Sequence, residues 1–388
     1  MFNINNNILN VDSPPIDYFN NLLSKNSNPN YNPISFGHGI PRFTPIDYFD
    51  FNNNPIFEPS SYKYSEIRGH VKIRQFISNK LNLKLNVKAD LDNFIITSGA
   101  NSALFKALFL KLEQGDEVIV PSPVYFNHIM AIQMIGAITV EIDSIEKNGF
   151  QLNIPGIINQ INDKTKVIIL NSPNNPTGAI YDINDIKHLS EICLKKNITI
   201  ILDYTYEDYI YGTDYNPLQI FNSFENLIIV GSFSKTFGIT GLRIGYICAD
   251  PHLIDNLCKI QDTISICAPV ISQNILLELI QSESKAINKN KLSAEFSRNK
   301  LIELIKTIPQ LEWITTKGAF YAFLKLPKEM NSWEFTRDLI VNKSVLVLPG
   351  TIFGETWKSY IRIAYGAVDS DEIDEGIHRI KNYLEETT

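Results

Sequence analysis

The chain has 388 residues, 44% of them hydrophobic and 20% charged, an ordinary globular composition and a length better suited to two lobes than to one core. A formal net charge of -7 with no basic run argues against nucleic acid and anionic membrane surfaces as partners. Cys193, Cys248, Cys258 and Cys267 form no C-x-x-C pair and the six histidines form no H-E-x-x-H, so the expectation is a reducing compartment, packing roles for the cysteines and no metal.

The first 35 residues or so are rich in Asn and Pro and predict an arm that gains order by packing on something else, with one short helix around Ile16–Leu23. MFNINNNILNVDSPP lacks the basic start and apolar core of a secretion signal, and no later stretch approaches the roughly 18 apolar residues of a membrane span. A cytoplasmic location is expected. Helical pattern fills Glu66–Leu81. FIITSG (Phe94–Gly99) then reads as a strand entering a glycine turn, followed by a helix over NSALFKALFLKL (Asn101–Leu112).

Short β-branched runs come next: EVIVPSP, TKVIILNSP, ITIILDY, NLIIVGS and RIGYICA, with helical segments such as 182–196 between several of them. Continuous apolar strands alternating with helices predict an α/β fold with a mainly parallel sheet covered on both faces, whose ligands bind at the carboxyl ends of the strands. After Pro269 helix is predicted to about Ile308. GAFYAFLKL, SVLVLPG and YIRIAYG, set between helices, predict a smaller α+β lobe.

The predicted strand ends carry one set of polar residues. Lys235 follows NLIIVGS among small residues and glycines, and a lysine amine forms imines with aldehydes. Arg243 and Ser232 suit a phosphate, the guanidinium through a two-point fork. Ser98, Gly99, Ala100 and Asn101 lie at a strand-to-helix turn, where free N–H groups and the helix dipole favour an anion. Tyr125 suits stacking on a flat ring and suits simple packing as well. Asp203 ends an apolar strand, where a carboxylate needs a charge partner such as a protonated ring nitrogen, and Asn175 and Tyr206 suit a ring oxygen. These groups are the complement of pyridoxal 5′-phosphate. Arg362 in YIRIAYG is the candidate clamp for a substrate α-carboxylate. His38, Arg42 and His128 fit substrate contact or a satisfied surface or core role equally.

The series YSEIRGHVKIR, TSGANSAL, NSPNNPTG, DYTYEDY, SFSKTFGITGLRIGY, LPGTIFGE and IRIAYG, preceded by FGHGIPRFTP, resembles the fold-type I aminotransferases of class I/II, from about Ser35 to the end. The resemblance implies a large domain (36–280) holding a mainly parallel, seven-stranded sheet sandwiched by helices, and a smaller α+β domain (281–388) that shares the segment up to about residue 60. An arm (1–35) precedes them. It implies Lys235 as the Schiff-base lysine, Asp203 as partner of the pyridine nitrogen, and Asn175 with Tyr206 as ligands of the ring oxygen. Tyr125 would stack on the ring, Thr205 would pack on its other face, and Ser232, Arg243 and the 99–101 turn would hold the phosphate. Tyr64 would reach the phosphate of a neighbouring subunit in a homodimer whose arms embrace, and Gly37 and Asn175 would lie along the substrate.

The expected reaction moves an amino group from an L-amino acid to a 2-oxo acid. Alternatives sharing the cofactor are a histidinol-phosphate-type aminotransferase, decarboxylase, C–S lyase, cyclase or amino-acid oxidase. A non-catalytic effector-sensing domain would carry a DNA-binding module ahead of the fold, where this chain has only a short arm. Leu242, where the family often has Trp, and Asn101, where some aspartate-specific members have Lys, leave the substrate open.

Overall fold

The apolar runs assemble as strands buried on both faces. In the computed structural model, which describes residues 4–44, 59–281, 283–327 and 330–387, β1 (Ile34–Ser35) precedes the strands of the main sheet. These are β2 (Phe94–Thr97), β3 (Glu117–Ser122), β4 (Ile138–Asp143), β5 (Thr165–Asn171), β6 (Thr199–Asp203), β7 (Leu227–Ser232) and β8 (Gly245–Cys248). Their order is β2-β8-β7-β6-β5-β3-β4. From β7 to β4 every pair is parallel, and β8 runs against both β7 and β2.

Alternate residues of a strand face opposite sides, and here both sides are core. Ile168, Leu170, Ile200, Leu202 and Ile229 join one apolar cluster, while Val167, Ile169, Ile201, Ile228 and Val230 join another. Each such side chain contributes about 1.5–3 kcal/mol by leaving water. That double burial writes the continuous β-branched runs seen in the sequence. β4 escaped the sequence reading because it is an edge strand with a half-exposed, polar-interrupted pattern, ITVEID.

A second sheet has the order β12-β13-β10-β9, from β9 (Glu312–Trp313), β10 (Tyr321–Lys325), β12 (Leu348–Pro349) and β13 (Tyr360–Ala364), and is antiparallel throughout. SVLVLPG divides at Val347. Its first part, β11 (Val345–Leu346), pairs in parallel with β1, and its second, β12, joins β13. The β1 pairing and a bond from Ala364 N–H to the Phe36 carbonyl (2.9 Å) anchor the segment that runs on to Gly37, Gly39 and Ile40. Pro45, the last residue of FGHGIPRFTP, lies outside the described residues.

The predicted N-terminal helix spans Pro15–Asn26, and a short one precedes it at Asn6–Leu9. The longer helix packs on its own chain: Phe19 is wholly buried and meets Trp333 at 4.8 Å, with Tyr18 stacked on the same indole at 5.5 Å. Among the described residues no helix is long and apolar enough to cross a membrane, and no cluster of His, Cys, Asp or Glu could hold a metal ion.

Candidate active site

Neighbouring parallel strands end in register, with Asn171 of β5 beside Asp203 of β6, and β7 ending at Ser232. β8 begins where those strands end, because it runs the opposite way, and Gly245 pairs with both Ser232 and Thr97. This topology places Arg243, just ahead of β8, against the turn that follows β2. A cavity of about 230 Å³ opens over these ends. It is lined by Ala100 and Asn101 from the turn, Tyr125, Asn175, Asp203, Thr205 and Tyr206, then Ser232, Lys235 and Arg243, with Arg362 from the second sheet.

Each side chain is held by local structure. Ser232 caps the one-turn helix Phe233–Thr236, its Oγ accepting from Ser234 N–H at 3.2 Å. Lys235 lies in that helix and donates from Nζ to the Gly39 carbonyl at 2.7 Å. Burial, then the charges of Arg243 and Arg362, lower the Lys235 amine to about 8. The helix is tied down by Tyr209 Oη donating to the Lys235 carbonyl (2.8 Å) and Thr236 Oγ1 donating to Asp208 (2.8 Å).

Gly99 begins the helix Ala100–Lys111 at φ 86°, with no side chain capping the helix N-terminus. A Cβ there would lie 2.5 Å from Arg243 Nη2, so only glycine lets the guanidinium lie against this turn. Arg243 donates to the Thr240 carbonyl at 2.8 Å. The uncapped N–H groups and the guanidinium are donors of the kind that favour an anion.

Asp203 accepts from Thr205 N–H at 3.0 Å through Oδ1, and its Oδ2 lies 3.1 Å from His128 Nε2. Asn175 accepts from Arg362 Nη1 at 2.9 Å, and Arg362 Nη2 donates to the Gly37 carbonyl at 2.6 Å. Arg362 is 1% exposed, and burial lowers its pKa. Its guanidinium lies 4.6 Å from the ring centre of Tyr321, whose hydroxyl meets that of Tyr206 at 2.6 Å.

Several expected residues stand elsewhere. Gly37 does not line the cavity; it faces Arg362 through its carbonyl, and His38, Gly39 and Ile40 form the wall instead. The same segment was anticipated, but the register along it depends on the β1–β11 pairing. Ser98 and Gly99, in the turn, do not line the cavity, and Tyr64 is 77% exposed and outside it. The sequence reading gave no role to Ile16, Leu104, Asn171, Ser234 or Tyr321, all of which line it, and left His128 open. His128 carried a usable signal, since it stands three residues after Tyr125 on one helical turn. Tyr321 carried none beyond its place in GAFYAF.

Three cations, Lys235, Arg243 and Arg362, share the cavity, and among the described residues none forms an ion pair with a carboxylate. Thr205 Oγ1 and Arg362 Nε are also buried without partners. Such a cavity demands an anionic, multiply hydrogen-bonding ligand.

Residues 58–380 match the family described as aminotransferase class I and II. The chain belongs to that family. This aminotransferase is 30% identical over 365 residues to a protein named probable aspartate/prephenate aminotransferase of Aquifex aeolicus, with 91% of each chain covered. It is 32% identical to a probable aspartate aminotransferase of Methanocaldococcus jannaschii, covering 91% of this chain and 93% of that one. An aromatic aminotransferase from Pyrococcus horikoshii superposes with a TM-score of 0.86 at 27% identity, over 95% of this chain and 99% of that one. The aspartate aminotransferase of Rhizobium meliloti, at 24% identity and 99% coverage of both chains, shares the fold with a TM-score of 0.91. The α/β architecture expected from the sequence is the one found, and the family implies pyridoxal phosphate as cofactor.

Proposed function

We propose that this aminotransferase carries an amino group from an L-amino acid to a 2-oxo acid with pyridoxal 5′-phosphate bound in the cavity over the strand ends. The observation that carries the reading is the set of three cations without carboxylate partners among the described residues, lining the same cavity as Asp203. A ligand with a phosphate, a carbonyl, an anionic ring oxygen and a protonated ring nitrogen fits each group. Arg243, Ser232 and the turn at 98–101 would hold the phosphate, Asn175 and Tyr206 the ring oxygen, and Asp203 the ring nitrogen. Tyr125 and Thr205 would lie on the two faces of the ring.

When bound, the cofactor supplies an aldehyde that condenses with amines and a ring that accepts electrons from the substrate's Cα. Lys235 would hold that aldehyde, and its Nζ, when free, would take the proton from the substrate's Cα. A lysine lowered to about 8 retains a useful unprotonated fraction near neutral pH. Arg362, its two Nη atoms already aimed by Asn175 and Gly37, would orient the α-carboxylate.

Exposed Tyr64 would complete the site of a second copy in a homodimer, and the protein would act in the cytoplasm. Aspartate and aromatic amino acids, named for its relatives, are the first donors to try. The test is spectroscopic: the holoenzyme mixed with an amino donor alone should convert to the pyridoxamine form and regenerate on adding a 2-oxo acid. Release of ammonia or carbon dioxide without that conversion would overturn the reading.

A further inference from the structure

The Tyr206 and Tyr321 hydroxyls, 2.6 Å apart, come from different sheets' ends: Tyr206 follows β6, and Tyr321 opens β10. Both phenols are buried, at 5% and 1% exposure. Three features meet at Tyr321. Its hydroxyl occupies the space a Cβ on Gly39 would need, and Gly39 gives Lys235 its carbonyl acceptor. Its ring floors the Arg362 guanidinium at 4.6 Å. Its one hydrogen-bonded partner among the described residues is the Tyr206 hydroxyl.

Proton counting decides how the pair works. Each phenol carries one proton and can accept as well as donate. Burial raises both groups, Tyr321 to about 12 and Tyr206 well above its ordinary value, so both stay protonated at neutral pH. Only one proton lies between the two oxygens. If Tyr206 donated to Tyr321, Tyr206 would have no proton left for a ligand, and the Tyr321 proton would have no acceptor among the described residues. If Tyr321 donates to Tyr206, the second proton points from Tyr206 into the cavity. A phenol that accepts one hydrogen bond while donating another is a stronger donor, because the chain polarises cooperatively.

We propose that Tyr321 is a positioning residue: its hydroxyl turns and strengthens Tyr206 as the donor to the cofactor's ring oxygen, while its ring seats Arg362. The proposal rests on the cofactor reading above. A stronger donor stabilises charge on the ring oxygen and so lowers the pH at which the bound cofactor's visible absorbance titrates.

Tyr321→Phe keeps the ring beneath Arg362 and removes the hydroxyl. In the substrate-free holoenzyme it should raise the absorbance midpoint by about half a pH unit, roughly a threefold change in the proton equilibrium, and raise the cofactor's dissociation constant severalfold. Tyr206→Phe should shift the midpoint further, and Tyr206→Phe/Tyr321→Phe should match Tyr206→Phe alone, since the second hydroxyl acts through the first. A midpoint and dissociation constant unchanged in Tyr321→Phe, or shifts that add in the double variant, would overturn the proposal. A wild-type protein that binds no pyridoxal phosphate would overturn the cofactor reading instead, so the two failures are distinct.

Discussion

His128 Nε2 stands 3.1 Å from Asp203 Oδ2, and both side chains are almost wholly buried. His128 Nδ1 is buried without a partner. A proton there would leave an N–H unpaired, so the arrangement favours Nε2 as the nitrogen that donates, to the carboxylate. Asp203 thus has one oxygen fixed by His128 and the other by the Thr205 N–H.

His128→Leu is accordingly expected to lower kcat/KM about tenfold, about 1.4 kcal/mol of lost orientation, while Asp203→Asn lowers it by a thousandfold or so. Steady-state kinetics on both variants check this. Wild-type kcat/KM in His128→Leu would refute the positioning role.

Lys235 is expected to react with pyridoxal phosphate in a pH-dependent way set by its lowered value of about 8. In the cofactor-free protein the capture rate should climb about tenfold per pH unit below pH 8 and level off above it, because the free amine is the nucleophile. Lys235→Ala should still bind the cofactor loosely, retain no borohydride-stable label and lose turnover. A capture profile centred near lysine's ordinary pKa, about 10.4, would contradict the burial argument.

Glu207 lies at the centre of a buried ion network that supports the Lys235 helix. Lys84 Nζ meets it at 2.7 Å and Lys80 Nζ at 3.1 Å, and Lys80 also meets Asp208 at 3.2 Å, the acceptor for Thr236. Burial opposes the charge on Glu207, but the two lysines together outweigh it and hold the carboxyl down at about 2. A depressed carboxyl stabilises the fold fully above its unfolded pKa, about 4.3, and loses that contribution as pH falls through about 2. Glu207→Ala should destabilise by about 3 kcal/mol at pH 7, because half-buried Lys84 loses its ion-pair partner and Lys80 one of its two. Urea midpoints from pH 7 down to 2.5 should show the gap to wild type narrowing below about pH 4.3. A gap independent of pH would discard this account.

Gly99→Ala should weaken cofactor binding about tenfold or more, since the methyl group would displace Arg243 and strain a backbone at φ 86°. Equilibrium titration of the cofactor-free variant measures it. Unaltered affinity would mean that Arg243 does not need the space glycine leaves.

The sequence by itself determined the strand ends. Strands buried on both faces are spelled as unbroken apolar runs, so the first polar residues beyond each run, Asn171, Asp203, Ser232 and the turn at 98–101, had to lie along one edge. Lys235 and Arg243 were legible for the same reason, being set among small residues just past β7. Tertiary structure alone decided which distant groups meet. His128 finds Asp203 across 75 positions, Tyr321 finds Tyr206 across 115 and Arg362 finds Asn175 across 187. It also decided that Gly39 rather than Gly37 faces the cavity, through a two-residue pairing of β1 with β11 that no periodicity announces. Apolar spacing tells which face of an element turns inward, but not which neighbour from another part of the chain waits there.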